Sequence, residues 1–268
     1  MVEFSDQDLA GARFDRVDLT GAVFDHVDLT DARLRAVDFS GAQIRGAGFV
    51  GTRLLDVELI DVEIGGDVRN VTINGVDVAP LIEAELDRRS PDRVKMRPEH
   101  ADGFREAWTI LERLWEGTIA RARTFPETAL NIRVNEEWSF IQTIRHLNFA
   151  CGAWVNRAVL GDPSPYHPLD LPWEDATGLD GVTWDVDARP SLEEVLAVRR
   201  ERDATLREVM LSLSEEELAR EVTRHERGWP QLEDYPVRRC LRTILNEEWE
   251  HRRYAERDLD ALEAASQR

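Results

Sequence analysis

From Phe4 to Ile64 a large apolar residue returns at every fifth position, through Leu9, Phe14, Leu19, Phe24, Leu29, Leu34, Phe39, Ile44, Phe49, Leu54 and Leu59. An α-helix buries one face at a period of 3.6 residues and a strand at a period of 2, so neither accounts for the pattern. A small or β-branched residue stands two places before most of these positions, as at Ala12, Val17, Ala22, Val27, Ala32 and Val37. Two inward positions are therefore specified in each unit of five. A fixed internal period of this kind marks a solenoid, whose units bury their apolar side chains only by stacking on one another. The phase is lost at Gly65-Gly66, and VRNVTINGVDV after it either caps the last coil as a short strand or leads into the next domain.

Blocks such as DLTGA, FDHVD and DFSGA resemble the pentapeptide-repeat family, whose usual unit is A-(D/N)-L-x-x. The resemblance covers residues 4–64 and implies a short right-handed quadrilateral β-helix with four pentapeptides per coil. Some members of that family imitate the DNA duplex and bind DNA gyrase. Residues 1–79 hold fifteen Asp and Glu against seven Arg, a net of −8, which has the sign of such a mimic. Its length argues otherwise: about three coils at ~4.8 Å spacing reach roughly 15 Å, under half of a ~34 Å duplex turn. The DNA-mimic gyrase binder thus stays as an alternative, behind a non-catalytic docking or oligomerisation module. Open solenoid ends present strand edges, which the helical part or a second copy would cover, giving a homodimer through the β-helix.

The whole chain carries a net charge of −19 over 268 residues, which argues against a nucleic-acid backbone as partner. It has no apolar run of eighteen residues, and MVEFSDQDLAGARF has neither a basic start nor an apolar signal core, so no membrane partner and a cytoplasmic location are expected. Cys151 and Cys240 read as buried thiols rather than a bridge. Lys95 is the single lysine, and the arginine-rich remainder suggests a GC-rich genome.

From about Pro80 the five-residue period gives way to helical ones. Phe104, Trp108, Leu111, Trp115 and Ile119 mark a helix within 98–124, and EWSFIQTIRHLNFACGAWVNRAVL a second over 137–160, stopped by Gly161-Asp162-Pro163. A third spans about 191–213 behind the capping box Ser191-x-x-Glu194, a short one starts at Ser214 with Glu217 as its partner, and a fourth long helix runs from Val237 to about Ala265. Four long helices without a strand pattern between them predict a four-helix bundle. The domain reading is 1–79 for the repeats and their cap, 80–97 for a linker and 98–268 for the bundle. Residues 161–190 form a long connection rich in proline and aromatics, a length usually reserved for lids or crossovers.

In the last helix Val237, Cys240, Ile244, Glu247, His251 and Tyr254 share one seam, although two of them are ionisable. Burying such groups unpaired costs several kcal/mol, so the seam either turns them to solvent or gives them something to bind. Glu247 and His251, at i and i+4, can hold one ion between them, whereas the helix turns Glu248 and Glu250 elsewhere. On the second helix His146 lies among Thr143, Ala150 and Ala153, small residues that leave volume beside it.

The pair WSFIQTIRHLNFA…W and LNEEWEHRRYAERDL resembles the DinB superfamily over roughly residues 95–265. Its bundles carry a metal triad of one histidine on the second helix and an H/E-x-x-x-H pair on the last. Position by position, His146, Glu247 and His251 match that triad, and the Glu form of the pair is closest to the mycothiol-dependent maleylpyruvate isomerase branch. Competing readings pair His251 and Glu247 with Arg252 or Arg253 on a solvated face and make His146 a hydrogen-bonded core histidine. Cys240 either approaches the metal or packs as a small hydrophobe, and Cys151 faces away from His146. His167 either lines the pocket mouth or is bonded to the backbone of its loop. Thr143, Ala150 and Tyr254 complete the candidate pocket. His26 and His225 read as surface residues, and His100 has no assigned role.

Two imidazoles and one carboxylate leave a divalent ion with net positive charge and an open position, where the pKa of a bound thiol or water falls. The resemblance implies a zinc-dependent thiol S-transferase or isomerase with mycothiol as the candidate thiol and an unidentified electrophile; the enzyme alternative is a metal-dependent hydrolase. No catalytic residue beyond the metal and its bound thiol or water is assigned. The isomerase has a further C-terminal domain for which this chain leaves no room, so maleylpyruvate is not the expected substrate.

Overall fold

A computed structural model describes residues 2–134, 137–173 and 176–266. The chain divides into two units, one ending at Ile64 and the other starting at Gly65.

In the first unit the backbone turns every five residues. Asp6, Gly11, Arg16, Gly21, His26, Asp31, Ala36, Gly41, Gly46, Gly51, Asp56 and Asp61 all have positive φ, between 51° and 77°. At the corners of Gly11, Gly21, Asp31 and Gly41 a β-turn closes, with Ala12, Ala22, Ala32 and Ala42 donating to the carbonyls three residues before. The side chains of Asp8, Asp18, Asp28 and Asp38 accept from the amides two residues on, the Asx-turn geometry that favours Asp there. The corners of a five-residue solenoid are thus present, but its walls are not. No strand ladder forms among residues 2–64, and the thirteen phased apolar residues are 42–71% exposed. The expected quadrilateral β-helix is therefore not formed in this structure. Corner geometry is satisfied within each turn, whereas burial of Phe and Leu requires one coil to lie on the next, and that contact is missing.

The second unit opens with a hairpin, β1 (Thr72–Ile73) and β2 (Val76–Asp77), around Asn74-Gly75. Both turn residues have positive φ, as a two-residue hairpin loop demands. The stretch expected to be a linker is itself folded, into α1 (Ala79–Arg89) and a 3₁₀ turn over Pro91–Met96. Arg93 binds Glu83 and Asp87 and ties the two together.

The expected bundle is present: α2 (Ala101–Ala122), α3 (Phe140–Cys151), α4 (Leu192–Ser212) and α6 (Val237–Ser266). Capping boxes start α3 at Ser139 with Gln142 and α4 at Ser191 with Glu194. Beyond Cys151 the second bundle helix widens into a π-helix over Gly152–Val159 and ends at Gly161, whose φ of +74° closes it. One apolar core gathers Phe104, Trp108, Leu111, Cys240, Ile244 and Trp249, and a second Trp115, Phe140, Ile144, Leu196 and Leu259. One expectation needs correcting. After the short α5 (Glu215–Ala219), β3 (Glu221–Arg224) and β4 (Leu232–Pro236) form an antiparallel hairpin where no strand was expected. Only Val222 and Leu232 of it are buried, too few to leave an alternating pattern in the sequence.

Candidate metal centre

The seam of α6 behaves as its spacing demands up to Ile244 and then departs from it. Val237, Cys240 and Ile244 are fully buried, Glu247 and His251 half-buried, and Tyr254 exposed. The two ionisable residues lie where the seam leaves the core, and there α3 brings His146 to meet them. The ligand atoms of His146, Glu247 and His251 all lie within 4.8 Å of one another. His146 Nε2 is 3.4 Å from Glu247 Oε2, and the two imidazole centroids are 4.8 Å apart. Two ligands bound at ~2.1 Å around a tetrahedral ion are separated by roughly 3.4 Å, so the spacing suits a cation of that size.

Both histidines have their Nδ1 occupied. His146 Nδ1 is 3.1 Å from the carbonyl of Leu171, and His251 Nδ1 is 3.0 Å from the carbonyl of Glu247 one turn earlier. A carbonyl can only accept, so each ring carries its proton on Nδ1 and leaves the Nε2 lone pair free. Backbone partners of this kind commonly orient metal-binding histidines. Burial, the largest influence, and the neighbouring His146 push the His251 pKa down to about 4, against the pull of Glu247. Burial pushes the Glu247 carboxyl up, but the imidazoles of His146 and His251 beside it more than offset this, and its pKa falls below the ordinary value. A neutral His251 and an ionised Glu247 form the donor set that a divalent cation requires.

The arginine pairing considered for these residues does not occur. Arg252 donates to Thr118 and Glu256, and Arg253 to Glu250. Glu248 turns the other way, 1% exposed, and receives a bidentate pair from Arg199 of α4 at 3.2 and 2.7 Å. Burial would lower the Arg199 pKa, but the carboxylates of Asp203 and Glu248 raise it, and the guanidinium also stacks 4.6 Å over Trp115. This pair fixes α6 against α4 one residue away from Glu247.

The other candidates divide. Tyr254 stands edge-on to His251 at 5.8 Å, at the outer rim. Thr143 and Ala150 are buried on α3 on either side of His146, and Ala150 belongs to the apolar core. Cys240 is in that core as well, and burial pushes its thiol up to about 12, the state of a packing residue. Cys151 is likewise buried. His167 lies in a turn of its loop, where its Nδ1 accepts from the Leu169 amide and its own amide donates to Asp170.

Three features are set aside or missed in sequence reading, the first of them weighed as able to shape the site and discounted. Trp138, just ahead of α3, lies over both imidazoles, 4.5 Å from His146 and 6.1 Å from His251. The helix expected over 137–160 includes Trp138, where helical spacing turns it away from the ligands, but α3 starts only after the Ser139 cap and leaves Trp138 free to fold over them. Phe149, 6.3 Å from His146, opens an aromatic cluster with Tyr166, Trp173 and Trp229. The third is the Leu171 carbonyl, a backbone group that no side-chain pattern reveals. It belongs to the 161–190 connection, an ordered crossover in its described residues: Arg202 donates to the Pro165 carbonyl, and Tyr166 is bonded to Trp229. Gly152 permits that approach, since a Cβ there would stand 2.8 Å from the Pro165 oxygen.

The family described as the DinB superfamily matches residues 110–255, and pentapeptide repeats match residues 2–35 and 24–59 in eight copies. No curated protein and no solved structure matches the chain.

Proposed function

Because the chain belongs to the DinB superfamily, on a match to more than half of its length, we propose that it is a divalent-metal-dependent thiol S-transferase or isomerase working through His146, Glu247 and His251. The observation that carries the reading is the convergence of ligand atoms from two imidazoles and one carboxylate within 4.8 Å of one another, with the Nδ1 of each histidine against a backbone carbonyl. Zinc is the metal favoured by the nitrogen and carboxylate donors. When bound, such an ion supplies Lewis acidity, lowering the pKa of a thiol or water beside it. The protein's own part is orientation and exclusion of water. Leu171 and Glu247 carbonyls fix the two rings, Trp138 covers them, and Phe149 with its neighbouring rings forms an apolar wall on the side of His146. A low-molecular-weight thiol, with mycothiol as candidate, would be the nucleophile toward a small electrophile.

Metal analysis of the untreated protein is expected to find about one equivalent of zinc or a similar ion, lost in His251→Ala. Titration of the zinc form with mycothiol is then expected to saturate at one site. Absence of metal uptake by the wild-type protein overturns the reading; metal uptake with no thiol binding transfers it to hydrolysis, the alternative chemistry of the same donor set.

A further inference from the structure

Arg145 is the largest fully buried side chain among the described residues, at 0% exposure. It lies on α3 immediately before His146, yet among the described residues it makes no direct ion pair. Its guanidinium is spent on backbone: Nε donates to the Leu169 carbonyl at 2.8 Å, Nη1 to Ala188 at 3.2 Å and Nη2 to Asp185 at 2.5 Å. These carbonyls belong to both limbs of the 161–190 crossover, so one rigid fork ties the limbs together across the chain between them. Segment 169–171 is also clamped from its other side, because the Leu171 amide donates to Arg145's own carbonyl at 3.2 Å. The Leu171 carbonyl, thus immobilised, is the acceptor for His146 Nδ1.

We propose that Arg145 is a positioning residue of the metal centre: by fastening the crossover it holds the Leu171 carbonyl against His146 Nδ1 and so keeps His146 Nε2 free as a ligand. The alternative state is close at hand. Nε2 is 3.4 Å from Glu247 Oε2, so a ring that loses the carbonyl and moves its proton to Nε2 donates to that carboxylate instead. Such a hydrogen bond would occupy two of the three ligand atoms at once. Arg145 keeps the triad from closing on itself, although it touches none of the three ligands' donor atoms.

The role toward metal rests on the function proposed above, but the effect on the ring does not, and the test separates them. Long-range ¹H–¹⁵N correlation of the His146 ring in the metal-free, full-length protein reads the tautomer directly. The wild type is expected to carry the proton on Nδ1, and Arg145→Met to shift it toward Nε2. Zinc titration of the same proteins should show roughly 10- to 100-fold weaker binding in the variant, the usual effect of removing an outer partner. Arg145→Lys keeps a cation without the fork, is the fallback should the Met variant not fold, and is expected to shift the tautomer as well. Arg157→Met is the control for general softening, since Arg157 is also buried and donates to the Glu226 carbonyl. An unchanged His146 tautomer in the folded Arg145 variants, or an equal shift in Arg157→Met, overturns the proposal. Should the wild type bind no zinc, the metal reading fails while the tautomer comparison still decides the role of Arg145.

Discussion

The repeat segment and the helical bundle differ in where their order comes from. Between Phe4 and Ile64 the corners are specified locally, by a backbone at positive φ and, at four of them, by an Asp side chain bonded two residues ahead, and yet no large apolar side chain is buried. In the bundle the local signals are few, a cap at Ser139 or Ser191, and the order comes from contacts distant in sequence, such as Arg199 with Glu248 or Arg145 with the crossover. Local turn chemistry fixes the direction of a chain cheaply but contributes little stability. Burial across long sequence separations provides the stability, and it also creates the buried polar groups from which a site is built.

Four measurements press on this contrast. The largest effect is expected at the buried pair: Glu248→Gln removes the bidentate partner of Arg199, leaving it only Asp203 at 3.7 Å, and should cost about 3–5 kcal/mol in urea unfolding of the bundle. A loss below 1 kcal/mol would remove the claim that long-range polar contacts hold the bundle together.

Next is a pH effect. Burial, partly opposed by the His167 amide and Arg202, raises the Asp170 pKa to about 6. A carboxyl whose folded pKa is raised binds its proton more tightly in the folded state, so its contribution is present below about pH 4 and lost as pH rises through 6. The slope amounts to roughly 3 kcal/mol over that window. Asp170→Asn should remove it, visible as a flatter dependence of unfolding free energy between pH 4 and 7.

Metal linkage follows. Zinc at a hundred times its dissociation constant is expected to stabilise the bundle by about 2.7 kcal/mol, and His251→Ala to abolish the gain. Thermal unfolding with and without chelator reads both.

The smallest effect belongs to the repeats. With the residue 62% exposed, Phe24→Ser is expected to change stability by less than about 0.5 kcal/mol. A loss of about 3 kcal/mol or more would show instead that the coils stack in solution, as the five-residue period anticipates.

How far each region can be read from sequence follows the same division. The thirteen phased residues predict the five-residue turning, which the structure contains, but stacking of coils is a tertiary event that periodicity alone does not guarantee. In the bundle, helical spacing and the Ser191-Glu194 box indicate the elements, and the i, i+4 pair on α6 with His146 indicates the three residues that the structure brings together. The partners that orient those residues were hidden for definite reasons. Arg145 falls among apolar neighbours and makes all its bonds to carbonyls, Leu171 acts through its backbone, and Trp138 precedes its helix.

The π-helical turns after Cys151 have a practical consequence for comparing this chain with others. Hydrogen bonds that skip five residues instead of four advance the helix more slowly around its axis, so every position beyond Gly152 is rotated from where a wheel drawn at 3.6 residues per turn would put it. A chain with one residue fewer here would restore ordinary α-helix and still present the same side chains to the crossover. A gap placed between 152 and 159, not a mismatch spread over Trp154 and Arg157, is the register in which such chains should be superposed.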